Sequence, residues 1–165
     1  MVPDYLPVIT IDGPSASGKG AVSEFLAKKL GFNYLDSGLL YRHFGLEVVS
    51  QGVSLSVLAS DWSEAKRIVG VLEARLAARS KETKKRFSSL IFMDGTSDDA
   101  RTEEAGAFAS KIAKLPLVRK ALLDLQRSFR ERPGLIADGR DMGSVVFPDA
   151  TLKVFLTASS LRRAE

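Results

Sequence analysis

Gly13-Pro14-Ser15-Ala16-Ser17-Gly18-Lys19-Gly20 is the stretch that decides how this chain folds. An apolar run, Val8-Ile9-Thr10-Ile11, stands before it, and Val22, Phe25, Leu26 and Leu30 recur after it at helical spacing. Strand, glycine-rich turn, lysine, helix is the layout of a phosphate-binding loop. Glycines let backbone N–H groups approach an anion with no Cβ in the way. The first-turn amides of the following helix add partial positive charge at the same place, and Lys19 adds a full one on a long stem. Gly13, Ser15, Ala16, Ser17, Gly18, Lys19, Gly20 and Ala21 are therefore the candidate contacts to nucleotide phosphates. Gly20 stands where the usual pattern has Ser or Thr. A chance glycine-rich turn is the competing explanation; the flanking strand and helix argue against it.

Outward from the loop, Gly31 marks the end of the helix, and Phe32-Asn33-Tyr34-Leu35-Asp36 reads as a second strand. A strand–helix–strand crossover of this length makes the two strands parallel. Asp36-Ser37-Gly38-Leu39-Leu40-Tyr41-Arg42 then leaves the strand end for another helix. Strand carboxyl ends are where open α/β sheets bind ligands, but Asp36 and Ser37 serve equally well as helix caps. Tyr41 and Arg42 are harder to explain as capping. His43 has no nucleophile or second histidine to join and reads as a bystander.

Residues 52–99 break the βα rhythm. The pattern predicts a helix over 62–79 and a strand over 87–93 that ends at Asp94-Gly95, a hairpin turn signal. The polar stretch 96–101 would supply the partner strand. The region is expected to be a small inserted lobe built on that antiparallel hairpin, with Trp62 packing inside it. Thr102 with Glu103 and Glu104 predicts a capped helix start, with Ala105, Phe108, Ala109 and Ile112 as its apolar face. Pro116 opens the next helix, whose stripe is Val118, Leu122, Leu125 and Phe129, with Arg119, Gln126 and Arg130 off it. Pro133-Gly134 stops it.

A second chemical stretch follows. Leu135-Ile136-Ala137-Asp138 is an apolar strand ending in an acid, the arrangement that sets a carboxylate beside the magnesium of a bound nucleotide. Gly139, Arg140 and Asp141 come directly after it. A surface turn explains those three residue types as cheaply; their place at a strand end in a chain with a phosphate loop favours a site. Residues 152–157 predict a further parallel strand, and Ser159 or Ser160 begins a helix. The fold expected is α/β, a parallel P-loop sheet flanked by helices, with 1–51 and 100–165 as core and 52–99 as the inserted lobe.

The 165 residues suffice for one such core. The absence of cysteine excludes disulfides and thiolate metal sites, which suits a reducing cytoplasm. No apolar run reaches membrane-spanning length and the start lacks a signal-like core, so a soluble cytoplasmic protein is expected. The net charge of +4 fits small phosphorylated ligands, and no aromatic–basic interleaving argues for nucleic acid.

Taken together, the loop, Leu35-Asp36-Ser37-Gly38 with Tyr41-Arg42, Arg101-Thr102-Glu103, and Asp138-Gly139-Arg140-Asp141-Met142-Gly143-Ser144-Val145-Val146-Phe147-Pro148 resemble the bacterial cytidylate kinases. The resemblance implies transfer of the γ-phosphoryl group of ATP to CMP or dCMP by a monomer, with Mg²⁺ accompanying the ATP. It implies Lys19, Arg42 and Arg140 as catalytic cations and Asp138 at the metal, through water. Ser37, Tyr41, Arg42, Ser110, Arg119, Arg140 and Asp141 would contact CMP; of these, Ser110, Arg119 and Asp141 would read the cytosine edge. Two departures accompany it. Ala21 replaces the threonine usual after Gly-Lys-Gly, which predicts weaker nucleotide and Mg²⁺ binding. Such kinases also continue into an arginine-bearing lid, an acid for the CMP ribose, and a last strand and helix. The alternative expectation is therefore a nucleotide-binding fragment impaired in turnover.

Overall fold

The backbone of the sheet is β1 (Val8–Asp12), which pairs in parallel with β3 (Leu135–Gly139) on one side and β4 (Leu152–Phe155) on the other. The structure, a computed structural model, describes residues 6–83 and 97–157. β2 (Asn33–Asp36) joins the far side of β3, so the sheet has four parallel strands in the order β2-β3-β1-β4. The expected parallel P-loop sheet is thus present, and the sheet among the described residues is all parallel. The expected hairpin strand 87–93 and its turn lie outside the described residues, as does the helix start at Ser159 or Ser160. The partner strand expected over 96–101 is corrected: a short helix, Ser97–Ala100, occupies it. Its Ser-Asp-Asp composition carries little strand propensity.

The helices run α1 (Lys19–Leu30), α2 (Ser37–Ser50), α3 (Leu55–Ser60), α4 (Trp62–Thr83), α5 (Ser97–Ala100), α6 (Glu103–Ile112) and α7 (Pro116–Ser128). A π-helical turn, Met142–Val146, follows β3. The chain divides into two compact units, Met1–Ser37 with Arg127–Glu165, and Gly38–Gln126.

In the first unit α1 covers one face of the sheet. Its apolar residues do not all do the covering: Val22, Phe25 and Leu30 are exposed, while Ser23 and Ala27 are buried. Small side chains let the helix lie close, and Ala27 packs with Ile11 and Ile136, joined by Leu26, Phe32, Tyr34 and Leu156. On the opposite face Met142, Val146 and Phe147 are buried. There Arg127 donates from Nε to the Val146 carbonyl at 2.9 Å. The entry to β3 is fixed by Asn33, whose side chain donates to the Glu131 and Arg132 carbonyls, ahead of a cis Arg132–Pro133 bond. Gly134 is required there, since a Cβ would fall 2.6 Å from the Phe32 ring.

In the second unit Val118, Leu122 and Leu125 of the expected stripe are buried, and so is Gln126, which the pattern had placed off it; Phe129, past the helix end and in the first unit, is buried too. Thr102 caps α6 by accepting the Ala105 N–H. Trp62, expected inside the packing, is instead 38% exposed at the start of α4, with the Lys66 and Lys120 ammoniums over its ring. Glu47 is buried and pairs with Arg75, linking α2 to α4. No helix among the described residues is long and apolar enough to cross a membrane.

Ile136→Ala opens a cavity in the sheet's α1 face, where Ile136 is fully buried against Ile11 and Ala27. It is expected to cost about 2–5 kcal/mol, seen as a lower urea midpoint at unchanged denaturant slope.

Candidate functional site

The loop between β1 and α1 takes the shape its sequence requires. Gly13 passes so close to the end of β4 that a Cβ would sit 2.2 Å from the Leu156 carbonyl oxygen. Gly18, at the N-cap of α1, has φ 84°, a conformation open to glycine at little cost. Ala16 also takes a left-handed conformation, at φ 55°, which strains a residue with a Cβ. No side chain caps α1 and no acid lies in its first turn, so its leading amides face the loop uncompensated. Lys19 folds back across the loop, Nζ donating to the Pro14 carbonyl at 3.1 Å. The Ser17 hydroxyl is buried in the loop with no hydrogen-bond partner.

β3 delivers the second stretch to the same end of the sheet. Asp138 lies opposite Ile11 on one side and opposite Asp36 on the other. Its carboxylate is buried, accepts a hydrogen bond from the Tyr34 hydroxyl, and faces Lys19 and Ser23. Burial, and then the nearby Asp36 charge, push Asp138 up to about 6; the Tyr34 bond, Lys19 and Ser23 pull the other way. Tyr34 itself is driven well above the ordinary tyrosine value, first by burial and then by the Asp138 charge. Its hydroxyl also lies 3.4 Å from the Gly20 carbonyl. Arg140, the next residue but one after Asp138, reaches across to the loop and donates from Nη2 to Ser15 Oγ at 2.7 Å. Ser37 is buried beside Gly139, where a Cβ would meet it at 3.3 Å.

In the second unit Arg42 donates to the Ala100 and Thr102 carbonyls at 3.0 and 3.4 Å. It packs flat on α6 at Gly106, where a Cβ would come within 2.9 Å of Nη2. Ser110, one turn along, donates to the Gly106 carbonyl, so Arg42 and Ser110 share one stretch of α6. Tyr41 is buried in α2. Arg119 bonds at 3.5 Å to the Ala113 carbonyl at the end of α6. A cleft of about 490 Å³ beside Arg42 has Leu46, Val49 and Phe108 as its apolar walls and Thr102, Glu104 and Lys111 among its polar lining.

The structure therefore brings the phosphate loop, Ser37, Asp138, Arg140 and Asp141 into one unit, and Tyr41, Arg42, Ser110 and Arg119 into the other. Sequence reasoning missed Tyr34 and Asp12, which the strand pattern presents as ordinary alternating positions. It also missed Gly106, a glycine inside a helix. Lys19, Arg42 and Arg140 share a further property: each is hydrogen-bonded to a neutral oxygen. Arg67, Arg75 and Arg130 are instead paired with carboxylates. Arg127, Arg119 and Lys153 are likewise held by backbone carbonyls, and Lys19 also stands near the Asp138 carboxylate.

Comparison with known proteins bears on what these residues do. The sequence profile of the cytidylate kinase family matches residues 9–165. The chain belongs to the cytidylate kinase family. It is 50% identical over 158 residues to the cytidylate kinase of Pseudomonas fluorescens (strain Pf0-1), covering 96% of this chain and 66% of that one. The cytidylate kinase of Nitrosomonas eutropha is 49% identical over 162 residues, covering 97% of this chain and 66% of its own length. That of Pseudomonas aeruginosa PAO1 is 48% identical over 161 residues. The chain thus spans about two thirds of the length of these cytidylate kinases.

Asp138 yields a pH prediction. Its folded value of about 6 lies above the unfolded value near 3.8. Between the two the folded state binds more protons, so this group's contribution to stability is greatest below pH 4 and falls as pH rises through 6. Asp138→Asn removes that dependence. Urea unfolding at pH 4 and at pH 7 is expected to show wild type losing ground to the variant at the higher pH.

Proposed function

We propose that this chain carries out, or forms the larger part of a protein that carries out, transfer of the γ-phosphoryl group of ATP to CMP or dCMP. The observation that carries the reading is the Arg140–Ser15 bond. It holds a guanidinium from the second motif against the phosphate loop that also carries Lys19. Phosphoryl transfer asks little covalent chemistry of a protein and much positioning and charge neutralisation. Two cations converging on one loop suit that demand.

In this reading the amides of Ser15 to Ala21 and the Lys19 ammonium bind the ATP phosphates. Arg140 and Arg42 bind the phosphate of CMP, and Ser37 and Tyr41 orient the nucleotide. Ser110, Arg119 and Asp141 recognise cytosine, which offers an amino donor, a ring acceptor and a carbonyl to a hydroxyl, a guanidinium and a carboxylate. Residues 52–99 form the monophosphate-binding lobe and the remainder the P-loop core of a monomer.

The donor set offers magnesium little protein coordination among the described residues. Asp138 is a single buried carboxylate already bonded to Tyr34, and no group of three acidic or histidine ligands occurs among the described residues. Were the ion to accompany the nucleotide, Asp138, acting through water, and the Ser17 hydroxyl are the groups that would hold it. When bound it would supply charge neutralisation to the nucleotide phosphates.

A second reading, nucleotide binding without turnover, is favoured by Ala21, which puts a methyl group where the family pattern has a hydroxyl. A coupled assay with ATP-Mg²⁺ and CMP, dCMP, UMP or AMP separates the two. Turnover confined to cytidine nucleotides, falling about 10²–10³-fold in Lys19→Ala, is the expected result. CMP binding by calorimetry with no turnover would establish the second reading instead.

A further inference from the structure

Asp12 ends β1 one residue before the phosphate loop, and the chemistry above leaves it without a task. Alternation along β1 turns Ile11 toward α1 and Asp12 to the opposite face. There its carboxylate is buried, at 8% exposure. A buried carboxylate is costly unless its oxygens are satisfied. Oδ1 accepts from the Met142 N–H and Oδ2 from the Gly143 N–H, each at 2.8 Å. These are the first two amides of the π turn. Asp141, at the N-cap position of that turn, makes no capping bond with its own side chain. Asp12 caps the turn from a neighbouring strand in its place.

The turn is also confined by contact. A Cβ on Gly143 would lie 2.7 Å from Thr10 Oγ1 and 3.2 Å from Lys153 Cδ, and one on Gly139 would lie 2.9 Å from Met142 Cγ. Residues 139–143 are therefore seated tightly against β1 and β4, with the Asp12 carboxylate as the polar tie.

We infer that Asp12 is a positioning residue for base recognition: by clamping the amides of Met142 and Gly143, it fixes where Asp141 stands relative to the phosphate loop. The inference rests on the cytidylate kinase reading, in which Asp141 faces the cytosine edge. Asp12 touches neither nucleotide. A carboxylate accepts from the exocyclic amino group of cytosine and repels the carbonyl that uracil presents there. Such discrimination needs the group held to about 0.5 Å. Loosening the turn therefore erodes the preference for CMP over UMP before it erodes ATP binding.

The test is calorimetric titration of the full 165-residue chain with CMP, UMP and ATP, in wild type, Asp12→Asn and Asp141→Asn. Asp12→Asn keeps the shape but points an amide N–H₂ at one of the two N–H donors. It is expected to narrow the CMP-to-UMP affinity ratio about tenfold, the loss of roughly one hydrogen bond, with ATP affinity changed less than about twofold. A ratio unchanged in Asp12→Asn but narrowed in Asp141→Asn overturns the inference alone. A ratio unchanged in Asp141→Asn, or a wild-type chain with no preference for CMP, overturns the base-reading assignment and the inference with it. Should Asp12→Asn not fold, Asp12→Glu takes its place, keeping the charge while displacing the turn by one methylene, and the same outcomes decide.

Discussion

The parallel register of β1 against β3 is the constraint on which the rest depends. Asp12 stands opposite Gly139 and Ile11 opposite Asp138, while β2 brings Asp36 level with Asp138. The residues that follow each strand, Gly13, Arg140 and Ser37, consequently leave the sheet at one edge. Period-two alternation then sends two adjacent acids to opposite faces. Asp138 points to the α1 side, toward Lys19 and Tyr34, and Asp12 points to the side of the π turn. A slip of β1 by one residue would turn Asp12 toward α1 and away from the amides of the π turn.

Each buried acid is stabilised differently, and the difference suits what surrounds it. Asp12 has both oxygens satisfied by backbone amides, a fixed arrangement that serves structure. Asp138 has one oxygen bonded to a phenol and lies close to a second carboxylate, so its charge is only partly compensated. A group in that condition gains from any cation that arrives, whereas Asp12 has nothing further to gain.

How much of this was legible in the sequence follows from what leaves a pattern. The phosphate loop, the strand–helix–strand unit and the capped start of α6 rest on residue types with few conformational options, and all three are found. The packing face of α1 was misread because close approach to a sheet selects small residues. Ser23 and Ala27 give no hydrophobic signal, while Phe25 and Leu30 give one and remain exposed. Residues 96–101 were assigned as a strand only as the complement of another strand, and local polarity decided otherwise. Asp12 and Tyr34 acquire their roles from partners more than 100 residues away, Met142 and Asp138. No local spacing encodes such pairs.

The basic residues differ in what holds them. Exposed pairs such as Lys28 with Glu24 and Arg67 with Glu64 are neutralised on the spot and contribute little. Lys19, Arg140 and Arg42 are held by a carbonyl, a hydroxyl and two carbonyls. A carboxylate in any of those places would fix the side chain as well, but it would compete with phosphate for the same charge. A neutral oxygen fixes the Arg42 and Arg140 guanidiniums without itself cancelling their charge, so part of the ordering cost is met before an anion binds; Lys19 also faces the Asp138 carboxylate. Gly106 belongs to the same device, because only a residue without a Cβ lets the Arg42 guanidinium lie on the helix that supplies its neighbours.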